Sequence, residues 1–195
     1  MHLDFKKPFR TSFGLIQKDF SIIELYDEEG NVGRGACSAF LRPWYNEETT
    51  IGALYVIQNY LIPALFDMGD ISTPEHFFDE TAWIRRNRMA RAAVDCALWE
   101  LYSKELGVPE YKALGGVKNE IEAGVSLGIE ETPDKLLHTI EEYMKQGYRR
   151  IKLKIKPGHD INYLSAVRRE FGDIMLMADA NSAYTLDDIN LFREM

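Results

Sequence analysis

Arg149-Arg150-Ile151-Lys152-Leu153-Lys154-Ile155-Lys156-Pro157-Gly158 and Ile174-Met175-Leu176-Met177-Ala178-Asp179-Ala180-Asn181 are the two stretches that decide how this chain reads. Both have the length and apolar content of strands. Side chains alternate across a strand, so Lys152 and Lys154 share one face while Ile151, Leu153 and Ile155 share the other. The second stretch closes on Asp179. Two lysines on one strand face and an acid at the end of the next strand suggest proton removal beside a metal ion.

Outward from these strands, helix and strand alternate. Ile121 to Leu127 reads as a strand. Thr132-Pro133-Asp134 opens a helix that runs to Lys145-Gln146 and ends at Gly147. Arg150 to Ile155 is a strand, Asp160 to Glu170 a helix, Ile174 to Asp179 a strand, and Thr185-Leu186-Asp187-Asp188 opens a last helix. A β-α-β-α-β-α order with short connections predicts parallel strands and right-handed crossovers. Helices cover the outer face of such strands, where Ile151, Leu153 and Ile155 point, so the lysine face is expected to look into a barrel or cleft. Two ammonium groups held close together disfavour each other's protonation, which makes a lysine there a usable general base. Barrels of this kind place their sites at the C-terminal ends of the strands. There Asp179 is either a plain loop or helix cap or a ligand for a hard cation such as Mg²⁺. Asn181 is a neighbour of that ligand or a turn residue. Ser126, in Gly124-Val125-Ser126-Leu127-Gly128, touches substrate or is an ordinary strand-end serine.

The N-terminal part has a different texture. Phe20 to Tyr26 is a strand, 27–31 a turn, and Val32 to Cys37 its hairpin partner. Lys7 to Gly14 is polar and turn-rich and reads as an exposed loop, in which Phe9, Arg10 and Phe13 either line a pocket or pack the loop down. Glu47 to Phe66 has apolar residues at helical spacing, and Pro63 is expected to kink it. Thr73-Pro74-Glu75 opens a second helix. Met89 to Leu106 is the strongest helix and ends at Gly107 with Pro109 just beyond. The boundary falls near Gly115–Asn119, giving a first domain at 1–116 and a second at 117–195.

The chain has 195 residues, 46% of them hydrophobic, enough for a sizeable core. Its net charge of -8, from 23 basic and 31 acidic residues, disfavours nucleic acid or an anionic membrane as partner. The four histidines show no metal-ligand spacing. Cys96 is expected as a small core residue, and a disulfide with Cys37 is not expected. No apolar run is long enough to cross a bilayer. A soluble, cytoplasmic protein is the expectation.

Together, Pro8-Phe9-Arg10-Thr11-Ser12-Phe13-Gly14, Met89 to Asp95 through Leu98-Trp99-Glu100, Leu106-Gly107-Val108-Pro109 through Leu114-Gly115-Gly116, Gly124 to Gly128, the lysine strand and Asp179-Ala180-Asn181 resemble the enolase superfamily in its muconate-lactonizing-enzyme subgroup. Within it they are similar to the o-succinylbenzoate synthase / N-acylamino acid racemase family. The resemblance implies an α+β capping domain over a modified (β/α)8 barrel, here its first three β-α units, with the segment 9–13 in the cap. It implies Lys154 as the acid/base, Lys152 as its neighbour and Asp179 as one of three Mg²⁺ ligands. It implies Ser126, Phe13 and Arg10 near a small carboxylate substrate, and Asn181 behind the metal ligand. The reaction implied is dehydration or racemisation through α-proton abstraction, within menaquinone biosynthesis for the synthase, in a homo-oligomer for the intact parent. Dipeptide epimerase or muconate cycloisomerase chemistry and a non-catalytic binding or assembly module are the alternatives. The remaining ligands and the opposing lysine are expected outside this chain, as is a first cap strand, of which Met1 to Lys6 would be the remnant. The chain alone is therefore expected to be inactive.

Overall fold

The computed structural model describes residues 2–3, 5, 7–16, 18–69, 71 and 73–195. Of the segment expected to be the remnant of a first strand, Met1, Asp4 and Lys6 lie outside the described residues. In chain order the elements are β1 (His2–Leu3), β2 (Arg10–Thr11), β3 (Gly14–Leu15), β4 (Lys18–Asp19), β5 (Ser21–Tyr26), β6 (Val32–Cys37), α1 (Thr50–Val56), α2 (Ile62–Asp67), α3 (Pro74–Glu80), α4 (Arg88–Glu105), α5 (Glu110–Ala113), β7 (Gly124–Leu127), α6 (Pro133–Lys145), β8 (Arg150–Lys154), α7 (Ile161–Phe171), β9 (Met175–Asp179) and α8 (Ile189–Glu194). They form two compact units, Met1–Asp4 with Lys18–Asn119, and Phe5–Gln17 with Glu120–Met195.

In the first unit β5 and β6 pair antiparallel, Ser21 opposite Cys37 through Tyr26 opposite Val32. β6 lies against α4 so closely that a Cβ at Gly33 or Gly35 would run into the Ala97 or Ala93 carbonyl oxygen. Only glycine permits that approach. On α4, Ala90, Ala93, Val94, Ala97, Leu98 and Leu101 make the buried stripe, at the spacing of one helix face. Cys96 falls outside that stripe and is exposed, contrary to the expectation of a core cysteine, whereas Cys37 is buried. Pro63, expected to kink the helix read from Glu47 to Phe66, stands in the first turn of α2. The segment before it, Ile57–Leu61, is a turn of π-helix joining α1 to α2, and the Ile62 amide donates to the Ile57 carbonyl.

The N-terminus of α4 is capped from a distance. Arg86 and Asn87 are left-handed (φ 56° and 43°), and Asn87 makes no side-chain cap. Glu48, only 6% exposed, takes over and accepts the Met89 amide at 3.0 Å and the Ala90 amide at 3.1 Å. A buried carboxylate at a helix N-terminus satisfies orphan donors and the positive end of the helix dipole. Glu48→Ala is expected to lower the unfolding free energy by about 2 kcal/mol in urea titrations.

In the second unit β7, β8 and β9 form a three-stranded parallel sheet in the order β7-β8-β9. Leu127, Ile151, Leu153 and Ile155 are buried with Leu136 and Ile140 of α6 and Tyr163 and Val167 of α7 in one apolar cluster. Thr132 caps α6 by accepting the Lys135 amide, and Asp160 does the same for α7 at Ile161. Ile121, expected in the first of these strands, is outside it and 84% exposed. The segment 7–14, expected as a loop, contains a small hairpin, Arg10 opposite Leu15 and Thr11 opposite Gly14. Its two-residue strands are too short for any alternation to show in sequence.

Candidate functional site

Alternation along β8 sends Ile151 and Leu153 to the helices and leaves Lys152 and Lys154 on the other face. Register then decides their neighbours. Ser126, Lys152 and Met177 lie in one row across the sheet, and Lys154 lies opposite Asp179 in the next. Lys154 and Asp179 are the last residues of β8 and β9, so both stand at the C-terminal ends of parallel strands.

The two lysines converge on one carboxylate oxygen. Lys154 Nζ donates to Asp179 Oδ2 at 2.8 Å and to Asn181 Oδ1 at 2.7 Å. Lys152 Nζ is 2.7 Å from the same Oδ2. The Asn181 amide donates to Oδ1 at 3.0 Å. The lysines differ in exposure, 9% for the Lys154 side chain and 38% for Lys152. Burial works against the Asp179 carboxylate, but the hydrogen bonds from Lys152, Lys154 and the Asn181 amide outweigh it and hold the carboxyl well below its usual value. Asn181 reaches both partners because it is left-handed (φ 47°), as is Ser182 after it (φ 59°). Two consecutive non-glycine residues in that region cost of order 1 kcal/mol or more each.

The structure thus brings together Lys152, Lys154, Asp179 and Asn181. Ser126 is exposed beside Lys152, one row further from the strand ends. Phe13, in the turn of the β2–β3 hairpin, is 53% exposed. Arg10 lines a different, open groove of about 580 Å³ with Lys7, Glu130, Glu131, Lys135 and His138. Sequence reasoning gave no part to Ser12, whose hydroxyl donates to the Ala180 carbonyl at 3.1 Å. Only the pairing of residues distant in the chain reveals it.

As a metal site this arrangement is incomplete. Asp179 is a hard oxygen donor of the right kind, but among the described residues no group of three or more His, Cys, Asp or Glu side chains is placed to hold an ion. One carboxylate does not hold Mg²⁺ firmly. Among the described residues no helix is long and apolar enough to cross a membrane.

Comparison with known proteins matches residues 2–115 to the mandelate racemase / muconate lactonizing enzyme N-terminal domain and residues 135–195 to the enolase C-terminal domain-like family. The o-succinylbenzoate synthase of Geobacillus kaustophilus is 50% identical over 189 residues, covering 96% of this chain and 50% of that protein. The N-succinylamino acid racemase of Thermus thermophilus is 40% identical over 189 residues, 97% of this chain and 51% of the racemase. Among solved structures, an enolase superfamily member from Listeria innocua superposes with a TM-score of 0.91 at 42% identity, over 99% of this chain and 52% of its own. The chain spans about half the length of the curated relatives it matches.

Proposed function

The chain belongs to the mandelate racemase / muconate lactonizing enzyme family of the enolase superfamily, and from that premise we propose that it carries the acid–base end of an o-succinylbenzoate synthase-type site. Its fold is that of the superfamily's cap and the first strands of its barrel. The observation that carries the reading is the placement of Lys154, nearly buried, against Asp179 and Asn181 at the ends of two parallel strands. The name of the relative at 50% identity supports the synthase. The racemase name at 40% identity supports α-proton transfer on an N-succinylamino acid as the second reading.

In this proposal Lys154 takes the proton α to a substrate carboxylate. The same nitrogen then returns a proton to the departing hydroxyl, so that a C–H and a C–O bond break, a C=C bond forms and water leaves. To accept that proton Lys154 must be in its neutral form, whose two N–H groups can go on donating to Asp179 and Asn181 while the lone pair takes the proton. Lys152 supplies a second positive charge beside it, where negative charge develops. Mg²⁺, where a complete site holds it, would bind the substrate carboxylate and stabilise that charge. Asp179 would be one of its ligands, and the residues described here do not complete the set.

The test joins this chain to the part of the Geobacillus relative that it does not span. Mg²⁺-dependent dehydration by the chimera is the expected result, with no turnover by the 195-residue chain alone. A chimera that folds but turns over neither the synthase substrate nor N-succinylamino acids overturns the reading.

A further inference from the structure

Ser12 and Ala180 are remote in sequence and joined by one hydrogen bond, Ser12 Oγ to the Ala180 carbonyl at 3.1 Å. That carbonyl also accepts the Ala183 amide at 3.1 Å. Ala180 stands between the two residues that hold Lys154, Asp179 at 2.8 Å and Asn181 at 2.7 Å. The turn they make is a strained one, because Asn181 and Ser182 are both left-handed. Such a conformation persists where the surroundings fix it. The hairpin that brings Ser12 there is fixed at its other side too. The Arg10 carbonyl accepts the Ile129 amide at 2.9 Å. Gly128 lets the Arg10 backbone pass, since a Cβ there would lie 2.8 Å from the Arg10 nitrogen. The hairpin is therefore pinned just after β7 and just after β9, the strands that flank β8, and Lys154 ends β8.

We propose that Ser12 is a positioning residue, whose hydroxyl keeps the Asp179–Asn181 turn in the shape that offers both acceptors to Lys154. The proposal rests on the reading of Lys154 as the acid/base. It makes the hairpin a handle on that lysine, since a hairpin displaced by an arriving substrate would loosen the turn and free Lys154 Nζ without touching it. Threonine at position 12 keeps the hydroxyl, and alanine removes it.

The experiment is NMR on the isolated chain at fixed pH, with neither metal nor substrate, so its outcome is independent of whether the chimera is active. In Ser12→Ala the Asn181 and Ala183 amides are expected to exchange about tenfold faster, while Ile151 and Leu153 in the core of the sheet keep their rates. The Lys154 ammonium ¹H–¹⁵N signal is expected to shift or broaden, which a purely structural role for Ser12 in its own hairpin would not cause. Ser12→Thr is expected to restore both. If alanine and threonine at position 12 give the same Asn181 and Ala183 rates, or if the Lys154 signal is unmoved in Ser12→Ala, the proposal is wrong. The alanine–threonine comparison remains decisive if the alanine variant also loosens the core.

Discussion

Asp179→Ala is expected to lower the unfolding free energy by about 3 kcal/mol, because it leaves two ammonium groups facing each other without their shared anion. The magnitude sits at the low end for a broken ion pair because Lys152 keeps contact with water, 38% exposed, whereas Lys154 at 9% does not. Loss of the Asn181 amide's acceptor adds to the cost, since that turn is held in left-handed geometry. The ion pair also gives the stability a defined pH dependence. Asp179 is held below the 3.8 of an unperturbed aspartate when folded. A depressed carboxyl contributes stability that is full above the unfolded value and is lost as pH falls through it towards the folded value. The gap between the natural chain and Asp179→Asn is therefore expected to be constant above about pH 5 and to shrink as pH is lowered below about 4. Urea unfolding at both ends of that range measures it. An equal gap at both would mean that the lysines do not stabilise the carboxylate in the folded chain.

The sequence made the architecture of the second unit legible because period and punctuation agreed there. Ile151, Leu153 and Ile155 alternate with Lys152 and Lys154, and Thr132 and Asp160 each stand where a helix begins and accept an amide of its first turn, while Thr185, expected to open the last helix, caps the short 3-10 turn Leu186–Asp188 that leads into α8. The cluster of Lys154, Asp179 and Asn181 was legible for the same reason, since alternation sets the face and strand ends set the depth. Three things were not legible, and each depends on tertiary contact. The β2–β3 hairpin has too few residues to carry a pattern, and its shape depends on Arg10 meeting Ile129. Cys96 looks apolar by type, but the α4 stripe runs through Ala93, Val94 and Ala97 and passes it by. Glu48 has no local sign of burial, because its partners Met89 and Ala90 are a loop and several helices away. Local physics thus wrote the site, while the elements that hold it in place were written in contacts between distant residues.

In the chimera, Lys154→Met is expected to reduce turnover by about a thousandfold, the loss usual for a positioned general acid–base group. Methionine keeps the length and packing of the stem and removes only the basic nitrogen, so the effect should fall on kcat rather than on substrate binding. Lys152→Met should cost less, about tenfold to a hundredfold, because its Nζ shares Oδ2 with Lys154, has no bond to Asn181 and is more open to water. The order of the two effects is the informative result. If Lys152→Met is the more damaging, the roles of the two lysines are reversed, and the burial and double anchoring of Lys154 serve stability instead of chemistry. Exchange of the α-proton with deuterated solvent separates the two substrate readings in the same variants. A racemase chimera needs a second base on the opposite face of the substrate, so Lys154→Met would stop exchange from one enantiomer of an N-succinylamino acid and leave it in the other. A synthase chimera would, on the proposed reading, use Lys154 for both removal of the proton and departure of the hydroxyl, so the same substitution would stop exchange and dehydration together. Both outcomes follow from one nitrogen held at 2.7 and 2.8 Å between Asn181 and Asp179, and the enantiomer dependence decides which chemistry that nitrogen serves.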